Sequence, residues 1–370
     1  MKTLFVGHYR EGITGWAKAA IDYILALDSV GVDVVCRALK LNNSQPDLPE
    51  RILQLEAKTT SGSTHCIQHV LPHHMEWNGG FEKNIGLFVT ESQSIQYSSW
   101  PSHLQLMDML WVPNMEMVDV CERSGINEPE VRVIPHAYDK DKYEYYDEFK
   151  VDSLDDDAYV FYFIGEFSRR KRLSALLQAY YTAFDRNANV RLVIKTNMPG
   201  RTPEQVMEEV SRTDKTVREQ LRLYNNDHHF PSVSFITDRL TDAQINGLHR
   251  MGDCFVTTTF GDAWCIPAFD ALHFGNAVIS SDVGGMKDYL YGKRNGFTVS
   301  GQFTPVFGES HAIPGMGTGR EEWFEVNISH FRDYMKAVYD LGEDSKYISD
   351  LSEYGYEVVG NKMKEALCEI

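Results

Sequence analysis

Short apolar runs separated by polar, glycine-bearing turns recur along the whole 370-residue chain. The first, at 4–6, leads through a polar loop with Gly12 and Gly15 into 16–27, where Ala17, Ala20, Ile21, Ile24 and Leu25 keep helical spacing. A second apolar run follows at 32–38. Strand, glycine loop, helix, strand is the opening of a doubly wound α/β domain. Further strands are predicted over 67–71 and 85–89, and residues 139–157 are charged and aperiodic, as a linker would be. A second series then begins. Strands are predicted over 159–164, 191–195, 233–236, 254–258 and 277–280, and helices over 173–184, 203–223 and 242–250, with an edge strand at 297–299. Residues 301–319 read as a Gly/Pro-rich loop, and 323–341 and 347–367 as helices. The expected class is α/β with two Rossmann-like domains, 1–150 and 156–345.

The densest pattern lies at 260–285, FGDAWCIPAFDALHFGNAVISSDVGG. The strand at 254–258 runs into a loop holding Asp262 and Trp264. Pro267 then opens a helix, where its missing N–H costs nothing. Asp270 is expected in the first turn, and Gly275 ends the helix. The next strand turns through Val283-Gly284-Gly285 into another helix. The loops of two such βα units share the crevice at the carboxyl ends of the strands, where open α/β sheets take phosphorylated ligands. A second candidate is Arg169-Arg170-Lys171-Arg172, four cations at a strand-to-helix turn. A helix N-terminus disfavours cations, so a bound anion is the simplest reason to keep them there.

Together these segments resemble the retaining glycosyltransferases of family 4 (glycosyltransferase group 1), which have the GT-B fold. That signature has Glu, seven residues and Glu, with Gly-aromatic-Gly and a Pro between. Here Asp262 and Asp270 replace the two Glu, and Ala263 and Cys265 the two inner Gly, while Trp264, Pro267 and the Gly284-Gly285 pair are retained. The Arg-Lys-Gly of the family appears as Arg170, Lys171 and Arg172. The upstream order of Thr90-Glu91, Trp100, Trp111-Val112-Pro113-Asn114 and Val133-Ile134-Pro135-His136 is similar to one branch of the family.

The resemblance implies two domains facing a central cleft, the first on the acceptor side with 347–370 packing back on it, and the second binding the nucleotide sugar. It implies metal-independent transfer of a sugar from a UDP- or GDP-sugar to a hydroxyl on a glycan, lipid-linked or small-molecule acceptor. Arg170 and Lys171 would grip the diphosphate with Gly12 and Gly15. Asp262 would hold sugar hydroxyls beside Ala263, Trp264, Cys265 and Gly284. Asp270 would accept from the ribose, and Glu91 would supply the polar group of the first domain. Trp264 would line the sugar pocket, and the base would sit by 237–241. The alternatives are a nucleotide-sugar-binding protein with little or no turnover and a sugar-nucleotide epimerase on the same fold.

Composition narrows the partners. A formal net charge of −17 opposes nucleic acid and weakens a polybasic membrane surface as partners. No apolar run reaches the ~18 residues of a membrane span, and 4–6 is too short for a signal segment. Cys36, Cys66, Cys121, Cys254, Cys265 and Cys368 show no CxxC spacing, so buried thiols in a reducing, cytoplasmic compartment are expected. His65, His69, His73 and His74 are read as a loop patch beside the cleft more readily than as a metal site. Asp155-Asp156-Asp157 contains the DxD pattern that binds metal in GT-A enzymes, but it precedes a strand and is read as linker.

Overall fold

Apolar runs too short for helices become the strands of two parallel sheets in the computed structural model, which describes residues 1–11, 14–41, 46–151, 157–224, 229–307 and 316–369. Gly12 and the Asp155-Asp156 pair lie outside the described residues. The chain divides into unit 1 (Met1–Lys140, Pro305–Glu322, Leu351–Ile370) and unit 2 (Asp141–Thr304, Trp323–Asp350).

Unit 1 carries β1 (Lys2–Gly7), β2 (Asp33–Ala38), β3 (His65–His69), β4 (Lys83–Leu87), β5 (Met109–Val112) and β6 (Glu130–Val133). Their order is β2-β1-β3-β4-β5-β6, with neighbouring strands parallel. The order reverses between β1 and β3, where Gly7 lies opposite His69. Helix α1 (Gly15–Ser29) is capped by Thr14, whose side chain accepts from Ala17 N at 3.1 Å. The last helix, α11 (Tyr356–Cys368), packs on α1. Gly360 permits that approach, since a Cβ there would sit 2.2 Å from the Ala26 carbonyl oxygen. Asp22 on α1 ties the unit together. Its carboxylate accepts from the Tyr356 hydroxyl at 2.5 Å and lies 3.1 Å from His136 Nε2.

Unit 2 carries β7 (Tyr159–Glu166), β8 (Val190–Asn197), β9 (Ser232–Ile236), β10 (Cys254–Thr257), β11 (Ala277–Ser281) and β12 (Gly296–Val299). Their order is β12-β11-β10-β7-β8-β9, again parallel. The chain runs outward from β7 to β9, then returns to lay β10 against the other side of β7. This is the order of the dinucleotide-binding fold, and its switch point is β7/β10. β10 and β11 are buried at every residue, as parallel strands covered on both faces must be. Helices α5 (Leu173–Ala183), α6 (Pro203–Leu221), α7 (Asp242–Met251), α8 (Ile266–His273), α9 (Gly285–Leu290) and α10 (Ile328–Leu341) alternate with the strands.

Several expectations are corrected. Part of the loop expected over 301–319 is a strand, β13 (Gly301–Pro305), paired with β14 (Glu322–Val326). β14 also replaces the start of the helix expected at 323. Trp323, Phe324 and Val326 are buried there, and α10 begins only after the Asn327 cap. The terminal helix starts at Tyr356 rather than 347, after extended chain and a short 3-10 turn at Ser352–Tyr354. Helices α2 (Glu50–Ala57), α3 (Trp100–Leu104) and α4 (Met115–Arg123) had no reading in the sequence. α2 buries only Ile52 and Leu55, too little to mark a period. α4 is set by Asn114, which caps Met117 N at 3.0 Å.

Candidate active site at the second switch point

The loop after β7 holds the four cations, and the loop after β10 holds Asp262. Hydrogen bonds sew the two loops together. Phe260 N donates to the Arg170 carbonyl at 2.8 Å, and Thr258 Oγ1 to the Arg172 carbonyl at 3.0 Å. Arg172 leads into α5 in the left-handed conformation (φ 50°, ψ 47°). Its guanidinium lies over the Phe260 ring at 4.5 Å and donates to Glu325 at 2.8 Å. Arg169 sits over Trp323 at 5.8 Å. These two arginines are turned onto the β14 side.

Arg170 and Lys171 turn the other way, onto the signature loop. Arg170 Nη1 donates to the Gly261 carbonyl at 2.6 Å and lies 3.7 Å from Asp262 Oδ2. Lys171 Nζ donates to the same Oδ2. The other carboxylate oxygen, Oδ1, accepts from Cys265 N at 2.8 Å and from Trp264 N at 3.3 Å. The Asp262 side chain is only 15% exposed. Burial works to raise its pKa, but Lys171 and Arg170 outweigh that and hold it down at about 2. Asp262 is therefore a carboxylate at any working pH.

Cys265 precedes α8 in the left-handed region (φ 60°, ψ 68°). Arg172 and Cys265 are the positions where the resembled signature has glycine, and both keep the backbone that glycine favours. Gly284 is under a stricter constraint. Its φ is +64°, and a Cβ there would fall 1.8 Å from the Asp262 carbonyl oxygen. Gly285 N donates to the Ala263 carbonyl at 3.2 Å, so the loop after β11 underpins the signature loop.

Two expected roles meet a different placement. Trp264 is 5% exposed. Its indole packs on Tyr289 (centroids 5.1 Å apart) and Phe269 (5.7 Å), in the floor of the loop. Asp270 lies in the second turn of α8, not the first, because the helix already begins at Ile266. Its carboxylate accepts from the Tyr143 hydroxyl and has Lys142 Nζ at 3.8 Å. Tyr143 in turn stacks on His273 at 4.0 Å. Burial lowers the His273 pKa, against the opposing pull of Asp270.

The remaining expected residues belong to unit 1. Gly15 is the first residue of α1, and Glu91 is half-buried in the bend beyond β4, beside buried Thr90. His65 and His69 are buried on β3, while His73 and His74 form a 3-10 turn. Among the described residues no group of three or more His, Cys, Asp or Glu could hold a metal ion. All six cysteines are free thiols, and Cys368 alone is exposed. No helix among the described residues is long and apolar enough to cross a membrane.

One group escaped the sequence reading. Lys195 near the end of β8 is buried, and burial lowers its pKa against the opposing pull of Asp238. A cation directly after the apolar triplet Leu192–Ile194 in VRLVIKTN was the signal.

Residues 130–302 match the model of the family described as Glycosyl transferases group 1. No curated protein matches the chain. Several solved structures are similar over their full length. HepE from Anabaena in complex with UDP and glucose superposes with a TM-score of 0.65 at 12% identity, covering 100% of both chains. Sucrose-phosphate synthase from Thermosynechococcus elongatus gives 0.64 at 12%, covering 99% of this chain and 98% of that one. A protein described as trehalose-6-phosphate from E. coli bound with UDP-2-fluoro glucose gives 0.66 at 10%, covering 100% and 99%. The fold is GT-B, with two Rossmann-like domains. The matched stretch, which includes Arg170, Lys171, Asp262, Asp270 and the Gly284-Gly285 pair, marks the protein as a glycosyltransferase.

Proposed function

We propose that this chain is a retaining, metal-independent glycosyltransferase that moves a sugar from a UDP- or GDP-sugar to a hydroxyl acceptor. In this reading unit 2 binds the nucleotide sugar and unit 1 supplies acceptor-side groups, Glu91 among them. The observation that carries it is the convergence of Arg170 and Lys171 on one point beside the β7/β10 switch. Breaking a sugar–phosphate bond leaves an oxocarbenium-like centre and a diphosphate. Preorganised cations at the leaving group lower that barrier more than any other single device. Two protein cations and the loop amides do this without a divalent ion.

Asp262 lies next to those cations and takes the sugar-facing position. Asp270 and its Tyr143 partner take the ribose side. Trp264 shapes the loop from beneath. The UDP and glucose in the HepE structure support a uridine diphosphate donor with a hexose. Retention follows from the resemblance to family 4, with the acceptor hydroxyl attacking on the leaving-group face. Six free thiols suit a reducing, cytoplasmic compartment.

The test is release of UDP or GDP from a panel of nucleotide sugars, with and without glycan and small-molecule acceptors, in EDTA. Acceptor-dependent release that survives EDTA, with product of the donor's anomeric configuration, is the expected result. A second reading, a nucleotide-sugar-binding protein with little turnover, is favoured by one observation: Asp262 is already engaged by Lys171 and two backbone amides. Tight donor binding without any release would select it.

A further inference from the structure

Resting on the assignment of Arg170 and Lys171 to the donor diphosphate, we propose that Asp262 is a resident competitor for that diphosphate. Its carboxylate holds the two cations and must be displaced from them when the donor enters. The site thereby selects ligands anionic enough to take the cations over.

Three features of the geometry carry this. First, one oxygen, Oδ2, receives Lys171 and faces Arg170 at 3.7 Å, so a single anion already stands where the two positive charges converge. Second, the group is shielded. The side chains of Lys171 and Asp262 are 13% and 15% exposed, and a shielded pair is stronger than a surface one. Third, the carboxylate is fastened from behind. Oδ1 caps Cys265 N and Trp264 N, an arrangement in which a short Asp side chain bonds its own backbone two and three residues on. Glutamate, one methylene longer, fits such a local turn poorly. The Asp-for-Glu replacement is thus what fixes an anion in front of the cations. Gly284 adds to this by packing on the Asp262 carbonyl from below.

The competitor reading makes a prediction of unusual sign. Asp262→Asn keeps an oxygen for the backbone cap and removes the charge. It should tighten UDP and GDP binding, by about tenfold on the scale of a charge-assisted pair. Pyrophosphate should tighten likewise, and uridine and guanosine should not change. In a Lys171→Ala background the same substitution should gain less than about threefold, because the contact being released is gone. Isothermal titration of the full chain reads all four variants, with circular dichroism confirming the fold. If Asp262→Asn does not fold, Asp262→Ser offers a shorter uncharged cap with the same expected gain.

Unchanged or weaker UDP and GDP binding in the folded Asp262 variant overturns the proposal. So does a full gain in the Lys171→Ala background, which would mean general charge removal rather than displacement. Failure of the underlying assignment looks different: Arg170→Ala and Lys171→Ala would then leave UDP and GDP affinity at the wild-type value.

Discussion

The two units share a parallel six-stranded sheet with one reversal of strand order, yet they fill their switch points with opposite chemistry. At β1/β3 the reversal is flanked by His8 and His69, with the Trp16 ring stacked on His69 at 5.1 Å. Burial lowers the pKa of both histidines, and His69 reaches about 3, helped by nearby His8 and His136. These rings are neutral at working pH. At β7/β10 the reversal is flanked by two cations and a carboxylate that stays ionised. Topology decides where a ligand can lie, and the side chains at the reversal decide its charge. The diphosphate assignment belongs to unit 2 for that reason.

The largest effect should come from glycines that differ only in their surroundings. Gly284→Ala places a methyl 1.8 Å from a backbone oxygen. It should cost more than about 3 kcal/mol and abolish nucleotide binding. In unit 1, Gly125 has φ +75° but no atom within 4 Å of its Cβ site. Gly125→Ala should cost only the conformational term, about 1–2 kcal/mol. Urea unfolding of both variants checks the contrast, and equal costs would show that the Gly284 loop yields.

Next in size is the cation pair. Arg170→Ala and Lys171→Ala should each weaken UDP or GDP binding by roughly 10- to 100-fold, the range of a lost charge-assisted hydrogen bond. Loss of unit 1 cations such as Lys18 should leave that affinity near the wild-type value. Titration calorimetry decides between a local grip and a general charge effect.

Acid should separate the units by smaller steps. A histidine whose folded pKa is depressed is protonated more readily in the unfolded chain. Its contribution is therefore intact above the usual value near 6.5 and is lost as pH falls toward about 3. His69 alone can set a slope of up to about 1.4 kcal/mol per pH unit in that window. The Asp262 carboxyl is depressed from 3.8 to about 2, so its contribution is intact above about 4 and fades only as pH falls through about 2. Urea midpoints at pH 7, 5.5 and 4 should fall for the wild type and fall less for His69→Gln. Asp262→Asn should leave that slope unchanged.

The smallest expected change is Cys265→Gly, within about 1 kcal/mol of neutral, since relief of left-handed strain offsets lost burial. Cys265→Val, branched at the same φ of 60°, should destabilise by more than about 2 kcal/mol. A tolerated valine would mean that the backbone at 265 is not held where it stands.

Much of this was legible in residue order. Periodicity located the strands, because buried parallel strands such as β10 and β11 are apolar throughout. The spacing of Asp262, Pro267 and Gly284 marked the signature loop, and the four cations stood out against an acidic chain. The left-handed backbone at Arg172 and Cys265 was not read from the sequence, since neither residue type favours it. β14 was misread as helix because WFEV suits either element until its partner strand is known. α2 and α4 were missed because each is short and buries few side chains.

The sequence by itself determined the doubly wound class, the two series of strands and the loops that carry chemistry. Those depend on local pattern, on glycine and proline geometry, and on which residues are charged. Only the tertiary structure decided which charges meet. Lys171 and Asp262 are 91 residues apart in the chain, and they touch because the strand order reverses between β7 and β10. The same reversal turned four adjacent cations into two pairs, Arg169 and Arg172 facing the aromatics and Glu325, Arg170 and Lys171 facing the signature loop. Residue order could not supply that division, since it depends on which loop each side chain packs against once the sheet has closed.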